Sequence, residues 1–119
     1  MNSDNKHTEA CQPLRDILEK ALRAGAEAIT LEYVDEGLEV CYESGHLGIG
    51  EIVEDRESRA QLIGAVVDLA GLEYRSRGTM HIEVLGEMRT IAVQEYDSFG
   101  EAAFRLILRR PERKRGRRS

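Results

Sequence analysis

The chain has 119 residues, 41% of them apolar and 33% charged, and a formal net charge of −5. That describes one soluble globular domain, too apolar for a disordered chain and too short for two hydrophobic cores. No apolar run approaches the ~20 residues that span a bilayer, and the opening MNSDNKHTEACQ lacks the apolar segment of a signal peptide, so a cytoplasmic location is expected.

Residues 1–11 are expected to form a flexible N-terminus. In QPLRDILEKALRAGAE, the apolar positions Leu14, Ile17, Leu18, Ala21 and Leu22 recur at spacings of three and four, which predicts an amphipathic helix. Pro13 suits its first turn and Gly25 its stop. AITLEYV follows with Ile29, Leu31 and Tyr33 on one face, and Asp35-Glu36-Gly37 turns the chain into LEVCYES, where Leu38, Val40 and Tyr42 alternate. Ser44-Gly45 ends that strand, and a third short strand is expected from Leu47 to Val53, with Gly48 and Gly50 as candidates for a bulge.

The stretch DRESRAQLIGAVVDLAGLEY predicts a second helix with Asp55 as its N-cap and Ala60, Ile63, Val66, Val67 and Ala70 on a shared face. Gly64 lies inside it, where glycine costs about 1 kcal/mol relative to alanine, so close packing against the sheet is its expected use. TMHIEVL and EMRTIAVQEY then form two strands joined at Leu85-Gly86-Glu87, and AAFRLILRR forms the last. The order α-β-β-β-α-β-β-β points to an α+β fold, an antiparallel sheet of five to six strands with both helices packed on one face, over residues 12–109. The other face would be polar and wet. Alternation alone does not assign Tyr33, Tyr42, His81, Glu83, Arg89 and Arg105 to a face.

Charge is unevenly distributed. Through Leu108 the chain carries ten Lys/Arg against twenty-one Asp/Glu, whereas the end carries seven basic residues, Arg109, Arg110, Arg113, Lys114, Arg115, Arg117 and Arg118, against one acid. Residues 110–119 are therefore read as a disordered basic tail. Such a tail serves solubility, folds back on its own acidic domain, or contacts an acidic protein, a nucleic acid or an anionic membrane.

Nothing in the sequence signals catalysis. There is no phosphate-binding G-x-x-x-x-G-K-[ST] loop, no G-x-S-x-G elbow and no H-E-x-x-H pair, and the glycines of GHLGIGE have the wrong spacing for a dinucleotide loop. His7, His46 and His81 are scattered, and Cys11 and Cys41 stand alone, so no metal site, cofactor or disulfide framework is indicated. Asp35-Glu36 and Glu54-Asp55 sit where turns and helix starts want acids.

Four segments, GAEAITLEY, EVCYESG, DLAGLEYRSRGTM and IAVQEYDSFGEAAFRLIL, occur in an order that resembles the N-terminal PAS-like domain of the type II secretion and type IV pilus assembly ATPases. That family carries GASDIHIEP, RxRxDG, DIAExRxPQDGR and RVSTxPTxxGEKVVLRIL at these places. Gly25, Gly45, Asp68, Ala70, Gly78, Gly100, Glu101 and Arg105 match its pattern. The departures fall on charge: Val40, Tyr42 and Ile91 stand where the family has arginines, Ser44 where it has Asp, and Glu27-Ala28 where it has Ser-Asp. Those arginines help to hold nucleotide between ring subunits, a charge-assisted contact that Val, Tyr and Ile do not supply. In the family a motor follows the last strand, where this chain ends eleven residues after Leu108.

The resemblance therefore implies a non-catalytic, adaptor-like domain without cofactors, acting through a protein partner that could be a motor ring or another copy of itself, by way of its wet sheet face or edge strands. Two other classes compete: a PAS-like sensor of a small molecule, and nucleic-acid association through the basic tail. The acidic body and the scarcity of aromatic residues weigh against both.

Overall fold

A computed structural model describes the backbone of residues 2–108 and the side chains of residues 12–108. Eight elements follow in the expected order: α1 (Asn2–Ala24), β1 (Ala28–Val34), β2 (Gly37–Ser44), β3 (Leu47–Val53), α2 (Arg56–Ala70), β4 (Arg77–Val84), β5 (Glu87–Ser98) and β6 (Glu101–Ile107). The strands form one antiparallel sheet in the order β3-β2-β1-β6-β5-β4. Two meanders are thus joined at β1 and β6, where Ile29 pairs with Leu106 and Leu31 with Phe104. Helix α2 carries the chain from the β3 edge to the β4 edge.

Both helices stop by the same device. Gly25 and Gly71 take φ of 75° and 67°, the left-handed conformation in which glycine has no Cβ penalty. The next amides then reach back, Ala26 N–H to the Ala21 carbonyl at 2.9 Å and Leu72 N–H to the Val67 carbonyl at 2.9 Å. Both following residues, Ala26 and Leu72, are buried. At its start α2 is capped by Asp55, whose carboxylate accepts the Ser58 N–H at 2.8 Å.

Alternation along the strands sends one set of side chains to the helices. Ile29, Leu31, Leu38, Val40, Met80, Ile82, Val84, Ile91, Val93, Phe104 and Leu106 form one core with Leu14, Leu18 and Ala21 of α1 and Leu62, Ala65 and Val66 of α2. Arg15 donates to the Glu83 carbonyl of β4 at 3.3 Å, while Lys20 bonds Glu51 of β3 at 2.7 Å. Five residues turn a helix by about 140°, so α1 bonds the two edge strands from different sides of its surface.

Four expectations are corrected. Helix α1 begins at Asn2, so Pro13 lies inside the helix instead of in its first turn. The β2–β3 register runs unbroken from Leu38↔Val53 to Ser44↔Leu47, so Gly48 and Gly50 mark no bulge. Helix α2 buries Leu62, Ala65, Val66 and Ala70, a face rotated from the expected one, and Ala60 is exposed. Gly64 packs against nothing within 4 Å.

Candidate interaction surfaces

The residues singled out by the resemblance are mostly structural. Gly45 and Gly100, with φ of 60° and 89°, sit in the β2–β3 and β5–β6 turns. Asp68 is exposed on α2, and its carbonyl accepts the Gly71 N–H at 3.3 Å. Ala70 and Gly78 are brought together: a Cβ on Gly78 would overlap the Ala70 carbonyl oxygen, so β4 passes against the last turn of α2 as only a glycine strand can. Glu101 is exposed opposite Ser98. Arg105 does not pair with Glu101, which lies four strand residues and roughly 13 Å away. It crosses to β2 and bonds Glu43 at 2.7 Å. Residues 109–119, with the seven basic positions, lie outside the described residues.

Register assigns the remaining ambiguous side chains. Tyr33, Tyr42 and Arg89 share the helix-covered face with their partners Leu38, Ile29 and Ile82, whereas His81, Glu83 and Arg105 are on the open face. One open row crosses all six strands: Gly50, Cys41, Thr30, Arg105, Gln94 and Arg77. Flanking it, Glu32 accepts the Tyr96 hydroxyl at 2.6 Å, and burial with that carboxylate pushes the Tyr96 phenol up from its ordinary value. Cys41 stands between Glu39 and Glu43 on β2. Burial first, then the two carboxylates, push its thiol up, away from the reactive thiolate. Among the described residues no three His, Cys, Asp or Glu side chains gather as a metal site requires, and no helix is long and apolar enough to cross a membrane.

The β3 edge has a different chemistry. Its strand reads LGIGEIV, with a single charge and no proline or basic residue. Leu47 and Ile49 are 74% and 73% exposed although they point to the helix side. Glu51, the one charge, is consumed locally: it accepts the Lys20 ammonium at 2.7 Å and the Tyr42 hydroxyl at 2.7 Å. Partial burial raises its pKa, but these hydrogen bonds and the Lys20 charge outweigh it and hold the carboxyl below the ordinary range. Burial foremost, then the hydrogen bond to the Glu51 carboxylate and its charge, push the Tyr42 phenol up.

The backbone of this edge is unpaired on one side. Ser44 and Leu47 close a two-residue turn and so form a hydrogen-bonded pair; by alternation so do Tyr42–Ile49, Val40–Glu51 and Leu38–Val53. The N–H and C=O groups of Gly48, Gly50 and Ile52 therefore point away from β2, toward the free edge. The opposite edge, β4, exposes Arg77, His81 and Glu83, charged and polar side chains of the kind that blunt strand pairing.

A third surface is a groove of about 570 Å³ beside the α2–β4 connection, lined by Leu72, Tyr74, Arg75, Glu95, Asp97 and Ala102 among others. Tyr74 is 92% exposed there. The exposed pair Leu47 and Ile49 was the feature missed by sequence reasoning: alternation assigns both to the helix side, and only the strand order reveals that β3 is an edge. In comparisons with known proteins, the chain matches no family model and no curated protein.

Proposed function

We propose that this chain is a non-catalytic protein-interaction domain of the adaptor type, similar in its order of elements to the PAS-like module of secretion motors, that takes a partner's strand at β3. The observation carrying this reading is the edge itself: outward backbone groups at Gly48, Gly50 and Ile52 beside the exposed Leu47 and Ile49. A strand added there gains main-chain hydrogen bonds and apolar contact together, the two ingredients of β-augmentation. The acidic open face, with Glu32, Glu39 and Glu43 against Arg105, repels phosphate and speaks against a nucleic-acid role for the sheet.

The test compares wild type with Leu47→Lys and Ile49→Lys in capture of partner protein, with hydrogen exchange on the captured complex. The lysine variants are expected to lose capture, and the amides of Gly48, Gly50 and Ile52 to become protected in the wild-type complex. Unchanged capture by both variants, or protection confined to other strands, refutes the reading.

A further inference from the structure

We infer that the strand taken by β3 is β3 of a second copy of this chain, paired antiparallel about Gly50, an inference that rests on β3 being an interaction edge. The segment is self-complementary in that register. Gly50 stands opposite Gly50 of the second copy, Leu47 opposite Val53, and Gly48 opposite Ile52, in both directions at once. The residues whose backbone groups point outward, Gly48, Gly50 and Ile52, then pair only with one another, so every outward N–H and C=O of the strand is satisfied over its full length.

Side chains agree with the backbone. On the helix side, exposed Leu47 gains an apolar neighbour in Val53, and Ile49 lies opposite Glu51, whose carboxylate is turned to Lys20 and Tyr42, with the other Ile49 as its diagonal neighbour across the dyad. On the open side, Ile52, 38% exposed, lies opposite Gly48, which has no side chain to obstruct it. Charge permits the approach. A chain of net charge −5 repels its own copy in general, but β3 carries only Glu51, already held by Lys20 and Tyr42. An antiparallel pair of identical strands has two-fold symmetry and uses up both free β3 edges, so the assembly closes at two chains. One strand pair buries less than the ~1,200 Å² of a stable interface, which places the association in the weak range.

The experiment is sedimentation equilibrium of the full chain from about 5 to about 500 μM, where weak interfaces of this size dissociate. The average mass is expected to rise from one chain to two and to stop there. Ile49→Lys is expected to weaken the dimer at least tenfold with an unchanged circular dichroism spectrum, because its side chain is in water; Phe99→Ser, at a distant exposed turn, is expected to change nothing. Leu47→Cys with Val53→Cys, on a background lacking the native cysteines, tests the register. The two positions lie roughly 20 Å apart within one strand, so oxidation crosslinks them only between copies. A single-chain mass at every concentration, growth beyond two chains, or a dimer indifferent to Ile49→Lys overturns the inference. If the purified chain stays single while partner capture still depends on Leu47 and Ile49, self-pairing falls and the edge reading stands; if Ile49→Lys alters neither, both fall.

Discussion

Replacing Gly78 and Gly64 by alanine, one at a time, should move stability in opposite directions. Gly78 is an extended residue of β4 facing α2, and an added Cβ would overlap the Ala70 carbonyl oxygen while sitting 3.0 Å from the Ala70 carbonyl carbon and 3.3 Å from Leu72 Cδ2. The obstacle is backbone, held in place by the Gly71 and Leu72 amides bonded to the Asp68 and Val67 carbonyls, so it does not swing aside as a side chain would. Relief requires β4 and the end of α2 to part by on the order of 1 Å, a gap that forfeits a quarter to a half of each dispersion contact across it. Overpacking costs about 1–3 kcal/mol, and a backbone obstacle puts Gly78→Ala at the upper end. For a domain of this size that lowers Tm by roughly 12 °C. Gly64, in the exposed middle of α2 with open space around it, should gain about 0.5–1 kcal/mol as alanine because helix formation then costs less entropy. Thermal and urea unfolding followed by circular dichroism at pH 7 measure both. Equal signs for the two substitutions, or a Gly78→Ala protein within about 1 kcal/mol of wild type, would refute the packing of β4 against α2.

Three further outcomes are expected. Glu51→Gln removes the charge that pairs with Lys20 and one of the two oxygens that accept from Lys20 and Tyr42, and should cost about 1 kcal/mol, a modest figure because Lys20 and Glu51 are both partly in water. The Glu51 carboxyl is held below its ordinary value, so its contribution is full above about pH 4.3 and lost as pH falls; urea titrations at pH 3 to 7 should show a shallower acid slope in the variant. Tyr42 and Tyr96 are raised in the fold, so the stability they confer is full below about pH 10 and declines at higher pH, where only the unfolded chain ionises them; their phenolate absorbance should appear with unfolding and not before. Cys41, in a Cys11→Ser background, should react with a thiol reagent severalfold more slowly in the native protein than in urea, and Glu39→Gln with Glu43→Gln should narrow that gap.

What the sequence revealed was whatever depends on near neighbours along the chain. Period two identified Ile29, Leu31, Leu38 and Val40 as one face, Gly25 announced the end of α1 and Asp55 the start of α2, because caps and alternation are local. The face of α2 was not legible, since Leu62, Ile63, Val66, Val67 and Leu69 spread over about 160° of the helix surface and only its neighbours decide which of them is covered. Gly64 and Gly78 look alike as glycines inside regular elements, yet one faces water and the other the Ala70 carbonyl. The Arg105–Glu43 pair joins residues 62 apart through the β1–β6 contact, which no local pattern specifies. That same contact makes β3 an edge, so the candidate site stayed hidden although the strand itself was predicted.

Three residues that count against the resemblance, Val40, Tyr42 and Ile91, share the helix-covered face of the sheet. Val40 and Ile91, two of the positions where the resembled family has arginine, are buried beneath the helices, and there a guanidinium would lose its water without gaining a phosphate. Tyr42, the third, keeps one polar atom, and its hydroxyl is directed to Glu51 on β3. Tyr42 thus ties down the edge strand, with Lys20 closing the contact from α1. Edge strands without such a tie fray, and a frayed edge pairs poorly because ordering it again costs about 1–2 kcal/mol per residue. Holding Glu51 inward both neutralises the only charge on β3 and presents Gly48, Gly50 and Ile52 in register. Tyr42, which fills the core, is thus also the residue that orders the edge proposed for pairing.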